Sequence, residues 1–565
     1  LPGLQAQNLQ LDYAKVISGG DDVGAYTMCL DGSENIIVSG RFYGQVDFDP
    51  DSTQFIMDAG DFGKTFLAKY DSLGQLLWAR QFGSSSPGSE GIFDLQVDAF
   101  GDLVMIGRVS VPVDIDPDTG TYILDPGGAE TQLFVAKFSS NGDLVWAKNT
   151  QGFANYPEGT VLPRSMVLDA NDNIYVTGGF NSYVDIDPGQ DTLIVNGEPT
   201  GSVITEAAFT MKLNLSGDLL WVVDAQNATT GESVGHDVDI DGNGDILTVG
   251  VFGGTLYPDS ADTNTSLTAT GSSDIFVHRL TPNGQLVEAI SFQGSQFHEM
   301  LKIECDPVGS VYLSGVFNGT LDADPGAGTT DLTAPLFFWD AFVIKLSSTL
   351  DFRWAHSIGG ADFDEFRDMD VSAVPYVRLC GRFENTIDFD PTNGTDLKGA
   401  SGLEDAFITS YDSSGAYLST QVFGGSQTQI IRNIETKSDG RILASGDFTE
   451  TIDLDPSVST NTATSAGETD CFILQLKPST VGIASPANAL SEAKLYPNPA
   501  HDWVHLELGS FVNVTIRLFN ASGQLVSEEK VSRSKYDLML GEAFGLYIVE
   551  LESEGFRQHF RIVKH

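Results

Sequence analysis

Apolar and polar residues alternate along most of this chain in short runs, and each run stops at a cluster of Gly, Asn, Asp or Ser. IFDLQVD (92–98), the turn AFGD and LVMIGRV (103–109) form one such pair. QLFVAKF (132–138), SSNGD and LVWAKNT (144–150) form the next. A period of two broken by tight-turn residues predicts antiparallel hairpins, and no stretch carries a helical period. Four such strand signals make one unit, and the unit repeats.

A string of paired aspartates sets the period. VDFDP (46–50) returns as VDIDP at 113–117 and 184–188, LDADP at 321–325, IDFDP at 387–391 and IDLDP at 452–456. The first aspartates are Asp47, Asp114, Asp185, Asp322, Asp388 and Asp453, spaced 65 to 71 apart except for one interval of 137. GTLYPDS (254–260) fills that gap, with Tyr257 in place of the first aspartate and Asp259 kept. Seven units of four strands predict an all-β fold, a seven-bladed β-propeller, over residues 11–477. The chain starts with LDYAKVISGG (11–20), which matches a fourth strand such as LLWARQFGSS (76–85). The last unit stops at a third strand, CFILQLK (471–477). The N-terminal strand is therefore expected to complete the last blade, leaving no open edge.

Beyond the repeats, residues 478–493 are small, polar and proline-bearing, and read as a linker. Residues 494–565 return to alternation, in LYPNPAHDWVHLEL, VTIRLFNASGQLV and GLYIVELESEGFRQHFRIVKH, and predict a small antiparallel β-sandwich. Residues 1–10 stand apart: LPGLQAQ reads either as the remnant of a secretory signal cut near Ala6 or as a loose terminus.

Composition narrows the partners. Acidic residues outnumber basic ones 78 to 30, for a formal charge of −48. Such a surface repels phosphate backbones and attracts cations, so nucleic acid is excluded as a partner. No apolar run is long enough to cross a bilayer, so no membrane insertion is expected. Cys29, Cys305, Cys380 and Cys471 fall singly inside apolar strands, with no CxxC pair, which argues for small core residues over zinc or redox chemistry.

The candidate chemistry lies in the DxDP strings. Residues i and i+2 of an extended segment point the same way, so Asp47 and Asp49 can face one point while Phe48 packs opposite. The same holds for Asp114 and Asp116, Asp185 and Asp187, Asp322 and Asp324, Asp388 and Asp390, and Asp453 and Asp455. The preferred reading is a turn device, in which the carboxylates accept backbone N–H groups and the proline fixes the exit. The alternatives are direct contact with a ligand and calcium, which needs more oxygens than two carboxylates supply. Asp58, Asp125 and Asn196, each eleven positions after the first aspartate, are candidate helpers. Trp78, Trp146, Trp221 and Trp354 share a fourth-strand position and read as rings wedged between sheets. Phe42, Phe180, Phe252, Phe317, Phe383 and Phe448 read as core. His236 and His298–Glu299 read as surface and loop residues.

The units VDAFGDLVMIG, LDANDNIYVTGGF and DAFVIKL resemble bacterial β-propeller repeats of the SBBP and NHL type. That resemblance speaks to fold and places the DxDP strings on one face, beside the loops linking blades. The tail resembles the C-terminal sorting domain of the Bacteroidetes type IX secretion system. The matching pieces are Leu495-Tyr496-Pro497-Asn498-Pro499-Ala500, Asn520-Ala521-Ser522-Gly523-Gln524, Gly545-Leu546-Tyr547 and Arg561-Ile562-Val563-Lys564. This implies the type IX translocon as partner, and release from or attachment to the outer cell surface.

Two functions lead, and a purely structural filler of the cell envelope, marked by a face with neither ion nor pocket, is a third. The first is a secreted or surface-anchored binding and scaffold module with a glycan or protein ligand. The second is a carbohydrate-active hydrolase or lyase using acids of the blade-linking loops: Asp21, Asp22, Glu90, Glu158, Glu232, Glu299 and Asp362 through Glu365. One cleft where carboxylates converge with perturbed pKa values would favour the enzyme.

Overall fold

The computed structural model describes residues 9–51, 53–84, 90–128, 130–153, 155–156, 158–197, 206–228, 231–372, 376–392, 394–478, 494–496, 500–508, 514–520, 524–533, 535–540, 545–553 and 556–564. The N-terminal LPGLQAQ, residues 479–493 of the expected linker, and Pro497–Pro499 and Ala521–Gly523 of the tail motifs lie outside them. Among the described residues every regular element is a β-strand. The chain divides into two compact units, 1–479 and 480–565.

Among the described residues the first unit contains seven main antiparallel sheets, numbered 1 to 7 in chain order, with small hairpin sheets beside them. Sheet 1 is typical: Val23–Leu30, Ile36–Phe42, Lys64–Tyr70 and Leu76–Phe82 pair in sequence order. The first strands of sheets 2 to 7 are Glu90–Val97, Thr160–Leu168, Ser233–Ile240, His298–Cys305, Glu365–Asp370 and Gln429–Thr436. Sheet 7 has three consecutive strands and borrows its fourth, Leu9–Gly19, which runs antiparallel to Thr462–Pro478 from Leu9↔Pro478 to Ile17↔Cys471. The two chain segments are joined as their sequence likeness predicts.

Turn chemistry explains why the strands stop where they do. Between the first two strands of sheet 1, Asp31 Oδ1 accepts the N–H groups of Ser33 and Asn35 at 2.8 and 2.9 Å. Asp98 holds Phe100 and Asp102 in the same way, both at 2.9 Å, and Asp306 holds Val308 and Ser310. A side chain that satisfies two backbone donors fixes a turn locally, before any tertiary contact forms.

Adjacent sheets pack through apolar faces. The six repeat-position phenylalanines, Phe42 through Phe448, are buried. Trp78 of sheet 1 donates its indole N–H to Ser140 O of sheet 2 at 3.3 Å. Trp221 reaches Pro282 O at 3.1 Å and Trp354 reaches Ser413 O at 3.3 Å, so each ring is anchored on the following sheet. The first strands lie beside one another in order, from Val23–Leu30 through to Gln429–Thr436, and the last also lies beside Val23–Leu30. Cys29, Cys380 and Cys471 are buried and unbridged, and Cys305 is half-buried.

In the second unit, Lys494–Tyr496, Trp503–Glu507 and Lys535–Met539 form one sheet. Val514–Asn520, Leu525–Val531, Gly545–Ser553 and Phe556–Lys564 form another. Val504, Leu506 and Leu538 of the first share a core with Ile516, Leu518, Val549 and Ile562 of the second.

Candidate functional site

Two sets of acidic side chains stand out in the repeat unit. The first is the set of DxDP aspartates, each at the start of a small hairpin between the second and third strands of its sheet. In sheet 1, Gln45–Asp47 pairs with Ile56–Asp58. Asp47 Oδ1 accepts the N–H of Asp49 at 3.1 Å and of Phe55 at 2.9 Å, closing the hairpin mouth. Asp49 Oδ1 accepts Asp51 N–H at 3.0 Å, and the Thr53 hydroxyl bonds its other oxygen. Phe48 between them is fully buried.

The device recurs in every intact copy. Asp114, Asp185, Asp322, Asp388 and Asp453 each accept an N–H two residues on, at 3.1–3.3 Å, and another eight residues on, at 2.7–2.8 Å. Asp116, Asp187, Asp324, Asp390 and Asp455 each take the N–H two residues further along. The intervening Ile115, Ile186, Ala323, Phe389 and Leu454 are buried. Where Tyr257 stands, Asp259 still accepts Ala261 N–H at 2.9 Å. The hairpins also bind the preceding fourth strand: Ser18 pairs with Asp47, Gln151 with Asp185, and Asp322 N–H donates to Gln293 O at 2.8 Å.

The paired carboxylates thus serve separate backbone donors. Of the expected helpers, Asp58 accepts Gly60 N–H and Asp125 accepts Gly127 N–H, both at 2.9 Å, and Asn196 ends the strand Ile194–Asn196, where its backbone carbonyl accepts the Gln226 side-chain N–H at 3.1 Å. Among the described residues no three His, Cys, Asp or Glu side chains gather as a metal cluster.

The second set lines a cavity of about 630 Å³ to which the first strands of all seven sheets contribute. Every one of those strands carries a bulge near its start: between Ala25 and Thr27, Ile92 and Asp94, Pro163 and Ser165, Gly235 and Asp237, Glu299 and Lys302, Phe366 and Asp368, and Ile431 and Asn433. A bulge re-aims the extra side chain, and here Tyr26, Phe93, Arg164, Arg367 and Arg432 come to line the cavity. Asp94, Asp237, Lys302 and Asp368 follow, and then Asp239, Glu304, Asp370 and Glu435.

Most of these acids stitch neighbouring sheets. Asp94 Oδ2 accepts Met166 N–H at 2.9 Å, Asp237 Oδ2 accepts Ile303 N–H at 2.8 Å, and Asp239 Oδ2 accepts Cys305 N–H at 2.7 Å. Glu304 Oε2 accepts Val371 N–H at 3.0 Å, and Asp368 Oδ2 accepts Ile434 N–H at 2.9 Å. Burial is the main reason their protons are held: Asp368 is pushed up to about 6, Asp239 to about 7 and Glu435 to about 8. Asp237 and then Asp368, the latter with an oxygen 3.8 Å from the ammonium, hold Lys302 in its charged form. Raised carboxyls next to a charged lysine can donate, accept and orient polar ligand groups.

The sequence reading of the histidines and loop acids needs correction. His298 begins a strand and is buried, and desolvation lowers it to about 4. His236 sits half-buried at a bulge, lowered to about 3 by burial and then by Arg164. Of the acids expected in loops, Glu90 and Glu365 begin first strands and, like Asp364, are buried. Asp364 accepts Gly360 and Glu384 N–H groups at 2.9 and 3.1 Å, and Glu365 pairs with Arg367 and Arg382 at 2.6 and 2.8 Å. An acid beside a strand start can be buried when neighbouring backbone donors or guanidinium groups pair with it. The cavity residues were missed because no linear motif gathers them; the only sequence signal is a slip in the alternation of each first strand.

Comparison with known proteins bears on the two units differently. A curated relative, the uncharacterized WD repeat-containing protein L264 of Acanthamoeba polyphaga mimivirus, is 25% identical over 275 residues, covering 43% of this chain. The chain spans about a fifth of that relative's length, 19%. Among solved structures, a protein of unknown function from Bacteroides caccae matches at a TM-score of 0.31 and 10% identity, covering 68% of this chain and 92% of that one. PorZ, a surface component of the type IX secretion system of Porphyromonas gingivalis, matches at a TM-score of 0.15 and 9% identity, covering 98% and 100%. Residues 494–565 match the family of secretion system C-terminal sorting domains, as the tail motifs implied. Such a domain implies interaction with the type IX secretion machinery, and this chain is a secreted or cell-surface protein that carries a sorting domain of that kind over residues 494–565.

Proposed function

We propose that the repeat unit is a seven-bladed β-propeller and that it acts outside the cell as a binding and scaffold module, with its ligand taken in the cavity between the first strands. The observation that carries this reading is the cavity itself. All seven first strands supply side chains to one space, and the seventh of them lies beside the first. Concave sites of a few hundred Å³ with convergent polar groups are the usual form of a small-ligand site. The sorting domain supplies the route to the surface and the propeller supplies the cargo's activity.

A carbohydrate-active enzyme is the second reading, favoured by the raised carboxyls of Asp239, Asp368 and Glu435 in the same cavity. Binding is preferred because Asp239 and Asp368 already hold backbone N–H groups of the next sheet, which leaves neither free to move a proton cheaply. The test is a glycan and peptide array probed with the full chain and with Val167→Trp, which fills the cavity from a side chain with no polar duty. Ligand capture that vanishes in the variant supports the reading. Capture that persists unchanged removes the cavity as the site, and release of shortened oligosaccharides by the parent moves the assignment to the enzyme.

A further inference from the structure

The bulged end of the cavity differs from the rest of the protein in its charge. The chain carries a formal −48, yet three of the re-aimed side chains there are arginines: Arg164, Arg367 and Arg432. They sit on sheets 3, 6 and 7, so they face the cavity from different sides. Architecture accounts for only part of their hydrogen-bonding capacity. Arg367 spends its Nε on Glu365 and Arg432 spends its Nε on Asp447. The Nη groups of both donate no hydrogen bond among the described residues. Arg164 is exposed, and its guanidinium makes neither a hydrogen bond nor an ion pair among the described residues, although its charge opposes the rise that burial imposes on Glu206.

Free guanidinium ends in a concave site call for acceptor oxygens, and a planar fork fits carboxylate or sulfate best. Two aromatic rings complete the setting. Tyr26 is 43% exposed, with the Arg432 guanidinium 5.9 Å from its ring centre, and Phe93 is the bulged residue of sheet 2. Such faces pack against the apolar side of a sugar ring. Resting on the binding reading above, we infer that the bulged end of the cavity recognises a short acidic oligosaccharide. Its carboxylate or sulfate is held by Arg164, Arg367 and Arg432, and a sugar ring lies against Tyr26 or Phe93. The acid total does not forbid this. Distant charge is largely screened at physiological salt. Of the acids in the same lining, Asp94, Asp237, Asp239, Glu304 and Asp368 are each spent on a backbone N–H of the next sheet. Burial raises Asp94, Asp239, Glu304, Asp368 and Glu435 toward their neutral forms, while the guanidinium groups stay charged. A long polyanion would still meet the acidic faces, which favours short chains or chain ends.

Calorimetric titration of the full chain tests the assignment, using a short oligogalacturonate, its neutral methyl ester and a peptide with the same number of free carboxylates. The acid form is expected to bind at least about tenfold more tightly than the ester. Arg164→Gln is expected to lose about tenfold with an unchanged melting temperature, because it breaks no bond in the fold. Tyr26→Ala gives a second, independent loss. Equal binding of the ester, tighter binding of the peptide, or an Arg164→Gln variant that binds as the parent does would overturn the inference. Binding abolished by Val167→Trp but untouched by Arg164→Gln would do so while leaving the cavity as the ligand site.

Discussion

Aspartates of the DxDP hairpins and aspartates of the cavity hold backbone N–H groups with the same chemistry, but over different distances along the chain. Asp388 bonds donors two and eight residues away, so one hairpin contains the whole device. Asp368 bonds Ile434, 66 residues away on the next sheet. The local device leaves a mark in the sequence, since its partners must stand at fixed offsets. The distant one leaves none, because the partner is a backbone N–H that any residue supplies. Repetition in a sequence therefore points to construction here, while the side chains that the bulges turn into the cavity are those that vary between repeats: Tyr26, Phe93, Arg164, Arg367 and Arg432.

The contrast can be broken first at a hairpin. Asp388→Ala leaves the Asp390 and Asp396 N–H groups without their acceptor, and it should cost about 2 kcal/mol in a denaturation curve while ligand binding stays intact. An unaltered curve would mean that water replaces the carboxylate without penalty.

A smaller effect is expected in the cavity, and its sign depends on pH. Asp368, Asp239 and Glu435 hold protons in the folded state that the unfolded chain, at ordinary values of 3.8 to 4.5, has already released. Their contribution to stability is complete below that range and is lost as pH rises toward about 8. The melting temperature should therefore fall across this window. Glu435→Gln should flatten the fall and stabilise the protein by about 1 kcal/mol at pH 8. A variant that melts lower than the parent at pH 8 would show instead that the Glu435 charge is stabilising.

The smallest change tests the exception among the repeats. Tyr257→Asp restores the first aspartate of the fourth hairpin and should gain less than about 1 kcal/mol, read as a rise in the denaturation midpoint. A loss would show that this hairpin has settled on a different geometry.

How legible all this was follows from the same distinction of range. The strand pattern, the turns held by Asp31, Asp98 and Asp306, the N-terminal strand of the last sheet and the sorting domain could each be read from local spacing. The structural role of the DxDP strings was the preferred reading because Tyr257 interrupts them without disturbing the period. The cavity could not be read. Its side chains come from seven strands, and the bulges that aim them shift the alternation by a single residue, which looks like noise in any one strand. The burial of His298 and Glu365 was hidden for a related reason: polar residues beside a glycine-rich loop look solvated until a neighbouring sheet covers them.

The amide of Gly19 donates to Asp470, a partner 451 residues further along. During synthesis the end of Leu9–Gly19 can meet Gln45–Asp47 early, but its long partner, Thr462–Pro478, is made only after nearly all the rest of the repeat unit. That pairing joins the most widely separated segments of the unit and is expected to be its slowest contact, and an interrupted chain presents a raw strand edge that a finished one covers. The sorting domain follows Thr462–Pro478 in the chain, so a polypeptide long enough to carry the export address already contains both partners of that pairing.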